Sequence, residues 1–307
     1  MAGVTLNSRV MLAPMAGVTD IAFREICKSH GAALTCSEMV SANALVYQDA
    51  KSRTLLPRGA GEYPYAVQIF GHDPAIMVDA ACKVLELVSP EFIDINMGCP
   101  TPKIVRNGDG AALMRDLPLA ERIAAAVVGA VGSNAAVTVK MRAGWDQSDV
   151  NAAELARACE AAGVQAVAVH GRTRAQLYSG AAHRDVVRAV KLAVCIPVIV
   201  NGDITGIEHA ERVMAETDAD FAMIGRAAMG NPWAFDGAPP AIPERLSTAM
   251  AQVERSAELK GERTACLEAR KYFAWYLKGV PGAVRLKLRV AKALSLSELR
   301  GIVAELA

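Results

Sequence analysis

Residues 65–100 read YAVQIFGHDPAIMVDAACKVLELVSPEFIDINMGCP. Two short apolar runs, YAVQIF (65–70) and FIDINM (92–97), flank a stretch of helical periodicity over 74–88. Each run has the length and apolar character of a parallel strand covered on both faces. The same unit repeats in both directions. Further strands are predicted at VMLAP (10–14), ALTCSE (33–38), VTVKMR (137–142), AVAVHG (166–171), PVIVNG (197–202) and FAMIG (221–225). Amphipathic stretches at 116–131, 150–162, 183–193 and 205–216 separate later members of the series. Eight strand–helix units in the first 240 residues predict an α/β fold, a (β/α)8 TIM barrel. A doubly wound sheet is the competing reading. It would normally carry a GxGxxG turn after its first strand, and APMAGVTD (13–20) lacks that spacing.

The chain has 307 residues, half of them apolar, and few aromatics. No apolar run approaches the ~18–20 residues of a membrane span, and MAGVTLNSRV lacks a signal-peptide layout. The expectation is a cytoplasmic protein, with a monomer as the default. None of the seven cysteines forms a CxxC pair, which argues against a disulfide framework, an iron–sulfur cluster or a zinc site. The net charge of +1 conceals an asymmetry. Residues 245–307 carry +6 and the preceding 244 carry −5. The segment 270–292, RKYFAWYLKGVPGAVRLKLRVAK, has seven basic residues and no acidic one. Tyr272, Phe273, Trp275 and Tyr276 interleave with those charges, either as a core stripe or as part of a surface for phosphate backbone. The proline-rich stretch NPWAFDGAPPAIPERL (231–246) reads as a linker. The division expected is a catalytic barrel over 1–240 and a small all-helical, basic domain over 241–307. Its helices are predicted at 245–260, 264–278, 283–293 and 296–306.

In such a barrel the active site lies at the C-terminal ends of the strands. Polar residues collect there. Strand 1 ends in Pro14-Met15-Ala16, strand 3 carries Gln68, and strand 4 ends at Asn96 and Cys99. Strand 5 carries Lys140 and Arg142, and strand 6 ends at His170 and Arg172. The last two strands end in Asn201-Gly202-Asp203 and Gly225-Arg226. Any one of these residues alone reads as a cap or a satisfied buried group. Together they suit a planar, electron-accepting cofactor with a phosphate tail. Lys140 would sit beside a ring that gains negative charge on reduction. Gln68 offers an amide to an imide edge, and the two glycine turns offer backbone N–H groups to phosphate. That outlines a flavin mononucleotide (FMN) site. A Schiff-base role for Lys140 is the alternative, and it leaves Gln68 and the thiol unexplained. A structural cysteine belongs within a strand, whereas Cys99 stands at a strand's exit.

Eight segments carry a resemblance to a known family: APMAGVTDIAFR (13–24), EMVSA (38–42), VQIFG (67–71), DINMGCPTPKI (94–104), VTVKMRAGWD (137–146), HGRTRAQLYSG (170–180), PVIVNGDI (197–204) and MIGRAAMGNPWAF (223–235). They resemble the tRNA-dihydrouridine synthases, and most of all the bacterial DusB-like branch. The likeness weakens after residue 245. The resemblance implies a flavoenzyme that reduces uridine to 5,6-dihydrouridine in the D-loop of tRNA, with NADPH as electron source and NADH possible. It implies that Pro14, Met15 and Ala16 line the flavin ring and that Gln68, Lys140 and His170 hold its polar edges. Asn201, Gly202, Asp203, Gly225 and Arg226 would surround ribityl and phosphate. Cys99 would be the proton donor, and Asn96, Lys103 and Arg172 would contact uridine or RNA. One position departs from the family pattern: His183 stands where a Trp is usual, at the expected start of a barrel helix, so a packing change is expected there. The rival readings are an FMN-dependent barrel enzyme for a free pyrimidine or dihydroorotate-like substrate, and an RNA-binding protein without chemistry. The basic helical module speaks against the first, and the Cys99, Lys140 and His170 set against the second.

Overall fold

The computed structural model describes residues 1–305. Nine parallel strands run in chain order: β1 (Val10–Leu12), β2 (Thr35–Cys36), β3 (Val40–Ser41), β4 (Tyr65–Phe70), β5 (Phe92–Met97), β6 (Ala136–Arg142), β7 (Ala166–His170), β8 (Val198–Asn201) and β9 (Phe221–Ile224). The spatial order is β1-β9-β8-β7-β6-β5-β4-β2, with β3 also pairing with β4. The ring is closed by two hydrogen bonds beyond the regular ladder. Leu12 N donates to Leu34 O at 3.0 Å, and Ala33 N donates to Val10 O at 2.8 Å. The result is an eight-position barrel whose second position is split into β2 and β3. The single strand expected over 33–38 is therefore shorter than its apolar run, and Val40–Ser41 adds a second piece that the run did not reveal.

The helices are α1 (Ile21–Ser29), α2 (Ala42–Val46), α3 (Ala50–Arg53), α4 (Pro74–Val88), α5 (Pro102–Arg106), α6 (Leu117–Val131), α7 (Ala152–Ala161), α8 (Arg184–Ala193) and α9 (Ile207–Thr217). After the linker come α10 (Ile242–Lys260), α11 (Glu262–Tyr276), α12 (Ala283–Val290) and α13 (Leu296–Ala304). Residue 306, the expected end of the last helix, and residue 307 lie outside the described residues. Several starts are set by local chemistry. Asp73 accepts from the Ala75 and Ile76 amides with Pro74 opening α4, and Asp116 accepts from Leu119 N at the head of α6. His183 is the N-cap position of α8, without a side-chain capping bond.

Strand alternation divides the core. Ile93, Ile95 and Met97, Val137, Val139 and Met141, Val167 and Val169, and Val198 and Val200 point outward to the helices and are buried there. The opposite faces pack a separate inner cluster, in which the alanines Ala66, Ala136, Ala166 and Ala168 surround the larger Phe92 and Ile199. Toward the C-terminal ends the inward positions turn polar: Gln68, Asp94, Asn96, Thr138, Lys140, His170 and Asn201. Register brings them side by side. Gln68 faces Asp94, Asn96 faces Lys140, Arg142 faces His170, and His170 faces Asn201.

The helical region has its own core, with Trp233, Leu246, Val253, Tyr272, Phe273, Tyr276 and Leu299 buried together. The linker's two aromatic anchors separate, Trp233 entering this core and Phe235 the barrel's. Arg255 reaches Glu25 on α1 at 2.8 Å, and Tyr272 Oη donates to Asp20, the cap of that helix. No helix among the described residues is long and apolar enough to cross a membrane.

Candidate active site

A cavity of about 820 Å³ opens at the C-terminal rim. Its walls include Pro14, Met15, Ala16, Gln68, Asn96, Cys99, Lys140, His170, Asn201, Gly202, Asp203, Gly225 and Arg226. Every cofactor residue expected from the sequence therefore lines one space, together with Cys99.

At one end lies a hydrogen-bonded row. Asp94 accepts from Thr138 Oγ1 and from Gln68 Nε2, both at 2.6 Å. Gln68 Oε1 in turn accepts from Asn96 Nδ2 at 2.8 Å. These two contacts fix the orientation of the Gln68 amide and leave one Nε2 hydrogen for a ligand. Burial pushes the Asp94 carboxyl above its usual range, against the pull of Thr138, Gln68 and Lys140. Lys140 is lowered to about 8 by desolvation and by Arg142, with Asp94 acting in the opposite sense. His170 is driven to about 2 by burial and by the Lys140, Arg142 and Arg172 charges, so it is neutral at physiological pH. Its Nδ1 faces the Arg172 amide at 3.2 Å, which donates to it. The ring proton therefore belongs on Nε2, and His170 acts as a hydrogen-bond donor without charge.

Next to His170, the turns after β8 and β9 present open backbone. The amides of Gly202, Asp203, Gly225 and Arg226 meet no acceptor among the described residues. Asp203 bridges Arg172 (2.8 Å) and Arg226 (3.2 Å) and also accepts from Ala182 N. The two guanidiniums hold its carboxyl below the usual range, against the upward pull of burial. An anion with several oxygens fits this donor set. The residues present thus fit a flavin mononucleotide, with neutral and cationic side-chain donors and a set of free amides on one cavity wall.

Cys99 sits on a mount. Asn96 Oδ1 accepts from Gly98 N at 3.1 Å and from Cys99 N at 2.8 Å. Gly98 lies against β6: a Cβ there would stand 3.0 Å from Met141 C, tight enough to push the turn and the strand apart by a few tenths of an ångström. Arg142 Nε donates to Gly98 O at 3.1 Å, and its Nη1 donates to Thr173 O and Leu177 O, both at 2.8 Å. The Cys99 thiol is half-buried and lies 3.4 Å from Thr101 Oγ1.

Three expected substrate contacts sit differently from one another. Asn96 lines the cavity, but its carbonyl oxygen is taken up by the Cys99 turn. Arg172 is 3% exposed and bound to Ser179 O, Gly180 O and Asp203, so it holds the 173–180 loop. Lys103 is exposed on α5 and outside the cavity, on the same short helix as Arg106. Among the aromatics of 270–292, Tyr272, Phe273 and Tyr276 are fully buried, which makes them core. Arg289 is held by both oxygens of Glu305, whereas Arg270, Arg285 and Lys292 are exposed and unpaired among the described residues. Four residues add to the expected set. Asp94 was visible as an acid at an inward strand position, and Arg142 as a second cation on β6. Tyr178 stacks on Arg226 at 4.6 Å and lies 5.6 Å from Arg142. Lys278 enters from the helical region and carries no signal in the barrel pattern.

The model of the dihydrouridine synthase (Dus) family matches residues 11–304. The chain is 43% identical over 290 residues to tRNA-dihydrouridine synthase B of Pseudomonas aeruginosa, covering 91% of this chain and 86% of that one. It is 41% identical over 286 residues to tRNA-dihydrouridine synthase B of Pasteurella multocida, covering 90% and 85%. A probable tRNA-dihydrouridine synthase of Rickettsia conorii is 39% identical over 297 residues, covering 92% and 88%. Among solved structures, histamine dehydrogenase from Rhizobium sp. 4-9 aligns with a TM-score of 0.56 at 12% identity, covering 83% of this chain and 48% of that one, a likeness of fold alone. With a family match along nearly its whole length and DusB relatives at about 40% identity, the chain belongs to the dihydrouridine synthases, on the DusB-like side.

Proposed function

We propose that this protein reduces uridine in tRNA to 5,6-dihydrouridine, using FMN and NADPH. The observation that carries the reading is the set of groups that line one cavity: Gln68, Lys140 and His170, the open amides of the two glycine turns, and a mounted thiol on the same rim. Met15 and Ala16 would cover the ring, Gln68 and His170 would bond its heteroatoms, and the amides of Gly202, Asp203, Gly225 and Arg226 would take the phosphate. A flavin held there would, once reduced, supply the hydride for C6 of the uracil.

The remaining tasks fall to the chain. Lys140 stabilises negative charge at the ring while it keeps its proton. His170 donates a hydrogen bond and adds no charge. Cys99 Sγ holds the proton destined for uracil C5, and a thiol brings that proton without placing a cation beside the base. Asn96 and Arg142 keep that thiol in place. The target base is stacked in folded RNA, so it must turn outward to enter a barrel mouth. Exposed Arg270, Arg285 and Lys292 suit the backbone of the RNA that presents it.

The test begins with the purified full chain. Flavin absorbance, NADPH oxidation and dihydrouridine in unmodified tRNA, measured by mass spectrometry, are the expected findings. A colourless protein that binds no flavin on reconstitution sinks the reading.

A further inference from the structure

The barrel does not build the cavity alone. Lys278, from the helical region, is one of its lining residues. It stands two positions beyond Tyr276, the last residue of α11. The α11 backbone packs directly on Gly230, where φ is +67°: an added Cβ would lie 2.3 Å from Trp275 C and 2.4 Å from Tyr276 N. Gly230 follows Gly225, Arg226, Ala227 and Met229, which line the same cavity. Lys278 therefore enters from the β9 side, the side that carries the open Gly225 and Arg226 amides.

Its charge is uncommitted. Lys260, Lys271, Arg255, Arg289 and Arg300 of the helical region all pair with carboxylates. The Lys278 ammonium is exposed and has no partner among the described residues. Arg226, the nearest expected phosphate cation, is already shared with Asp203. Of the barrel's other lining cations, Arg142 is held by the carbonyls of Gly98, Thr173 and Leu177, and Lys140 is assigned to the ring. The helical region also holds the turn after β1, where Lys271 Nζ donates to Gly17 O at 3.0 Å.

We propose that Lys278 is the second cation of the phosphate subsite, supplied by the helical region and closing over the phosphate of the bound mononucleotide. The inference rests on the flavin mononucleotide reading. It makes the helical region part of the cofactor site, and it ties the turn at 277–282 to cofactor loading. Lys278 acts by holding and positioning, not by chemistry. An RNA backbone phosphate is the other source of the same anion, and the experiment separates the two.

The cofactor-stripped full chain is titrated with FMN and with riboflavin by fluorescence quenching, and with tRNA by anisotropy. Wild type is compared with Lys278→Met and Lys278→Arg. The expected result is an FMN affinity about fivefold weaker in Lys278→Met, as for an exposed ion pair. Riboflavin affinity stays unchanged, and Lys278→Arg restores FMN binding. Equal weakening for both flavins assigns Lys278 a structural role and overturns the proposal. Unchanged FMN affinity with weaker tRNA binding overturns it in favour of RNA. If wild type binds FMN tightly but Lys278→Met keeps the same FMN preference, Lys278 alone is misassigned. If wild type binds neither flavin, the cofactor reading itself fails.

Discussion

Replacing Asn96 with alanine removes three hydrogen bonds to nitrogen and oxygen partners at once, together with a weak one from Nδ2 to Met39 Sδ at 3.7 Å. The Gly98 and Cys99 amides lose their acceptor, and Gln68 Oε1 loses its donor. The two amides lie at the half-buried rim, where water replaces part of what they lose. Gln68 is 1% exposed, so its oxygen bears close to the full desolvation penalty. Together these changes should destabilise the fold by about 2–4 kcal/mol. The Cys99 turn does not come free, because Ala111 N still donates to Cys99 O at 3.1 Å and Arg142 still holds Gly98 O. The thiol should remain on the rim but lose its setting, and a displacement of about 1 Å can reduce the proton-transfer rate about a hundredfold. Chemical denaturation measures the first effect. A single turnover of prereduced protein with unmodified tRNA measures the second. Asn96→Asp is the control: it keeps an acceptor for both amides but sets a carboxylate against Gln68 Oε1, which Asp94 prevents from flipping. It should position Cys99 better than alanine does while still losing stability. Unchanged stability together with an undiminished single-turnover rate in Asn96→Ala would refute the argument.

Three further predictions follow from particular contacts. Lys140, lowered to about 8 from an ordinary value near 10.5, binds its proton less tightly in the folded protein than in the unfolded one. Its contribution to stability is thus fully present above about 10.5 and is lost as pH falls through about 8. If the flavin needs that cation, its affinity for the stripped protein should fall about tenfold from pH 7 to pH 9, with proton uptake in calorimetry at the upper end; a flat profile removes Lys140 from the ring. Gly230→Ala forces a side chain into the α11 backbone at positive φ, so it should cost at least about 1–3 kcal/mol and expose the 236–245 linker to proteases; an unaltered digestion pattern argues against tight docking there. Neutralising Arg270, Arg285 and Lys292 should weaken tRNA binding and flatten its salt dependence by about 0.7–0.9 per cation, whereas Arg289→Gln, whose charge Glu305 already balances, should do less; equal effects would show that pairing does not matter at this surface.

The barrel was legible because each strand carries two messages. Outward Val and Ile positions mark a buried parallel strand, and inward positions pass from small residues to polar ones toward the rim. In β5, Phe92, Asp94 and Asn96 alternate with Ile93, Ile95 and Met97, so fold and site are written in the same six residues. What could not be read is set by tertiary contact. The type and place of Arg172 suit a contact to uridine or RNA, yet the carbonyls of Ser179 and Gly180 and the carboxylate of Asp203 each claim one of its three nitrogens. The aromatic stripe beside the basic run resembles a stacking platform until Tyr272, Phe273 and Tyr276 turn inward onto Trp233 and Leu246. Lys278 reaches the cavity only because α11 docks on Gly230, a meeting of segments more than forty positions apart.

The central claim is that this rim reduces a uridine in RNA with a proton from Cys99. It is tested most directly by mass spectrometry of unmodified tRNA after incubation with NADPH and flavin-loaded protein, wild type beside Cys99→Ala. The account predicts dihydrouridine in the D-loop with wild type, and its near-complete loss in Cys99→Ala while flavin binding and NADPH oxidation persist. Dihydrouridine formed at an undiminished rate by Cys99→Ala, or none formed by a flavin-loaded wild type, would contradict it.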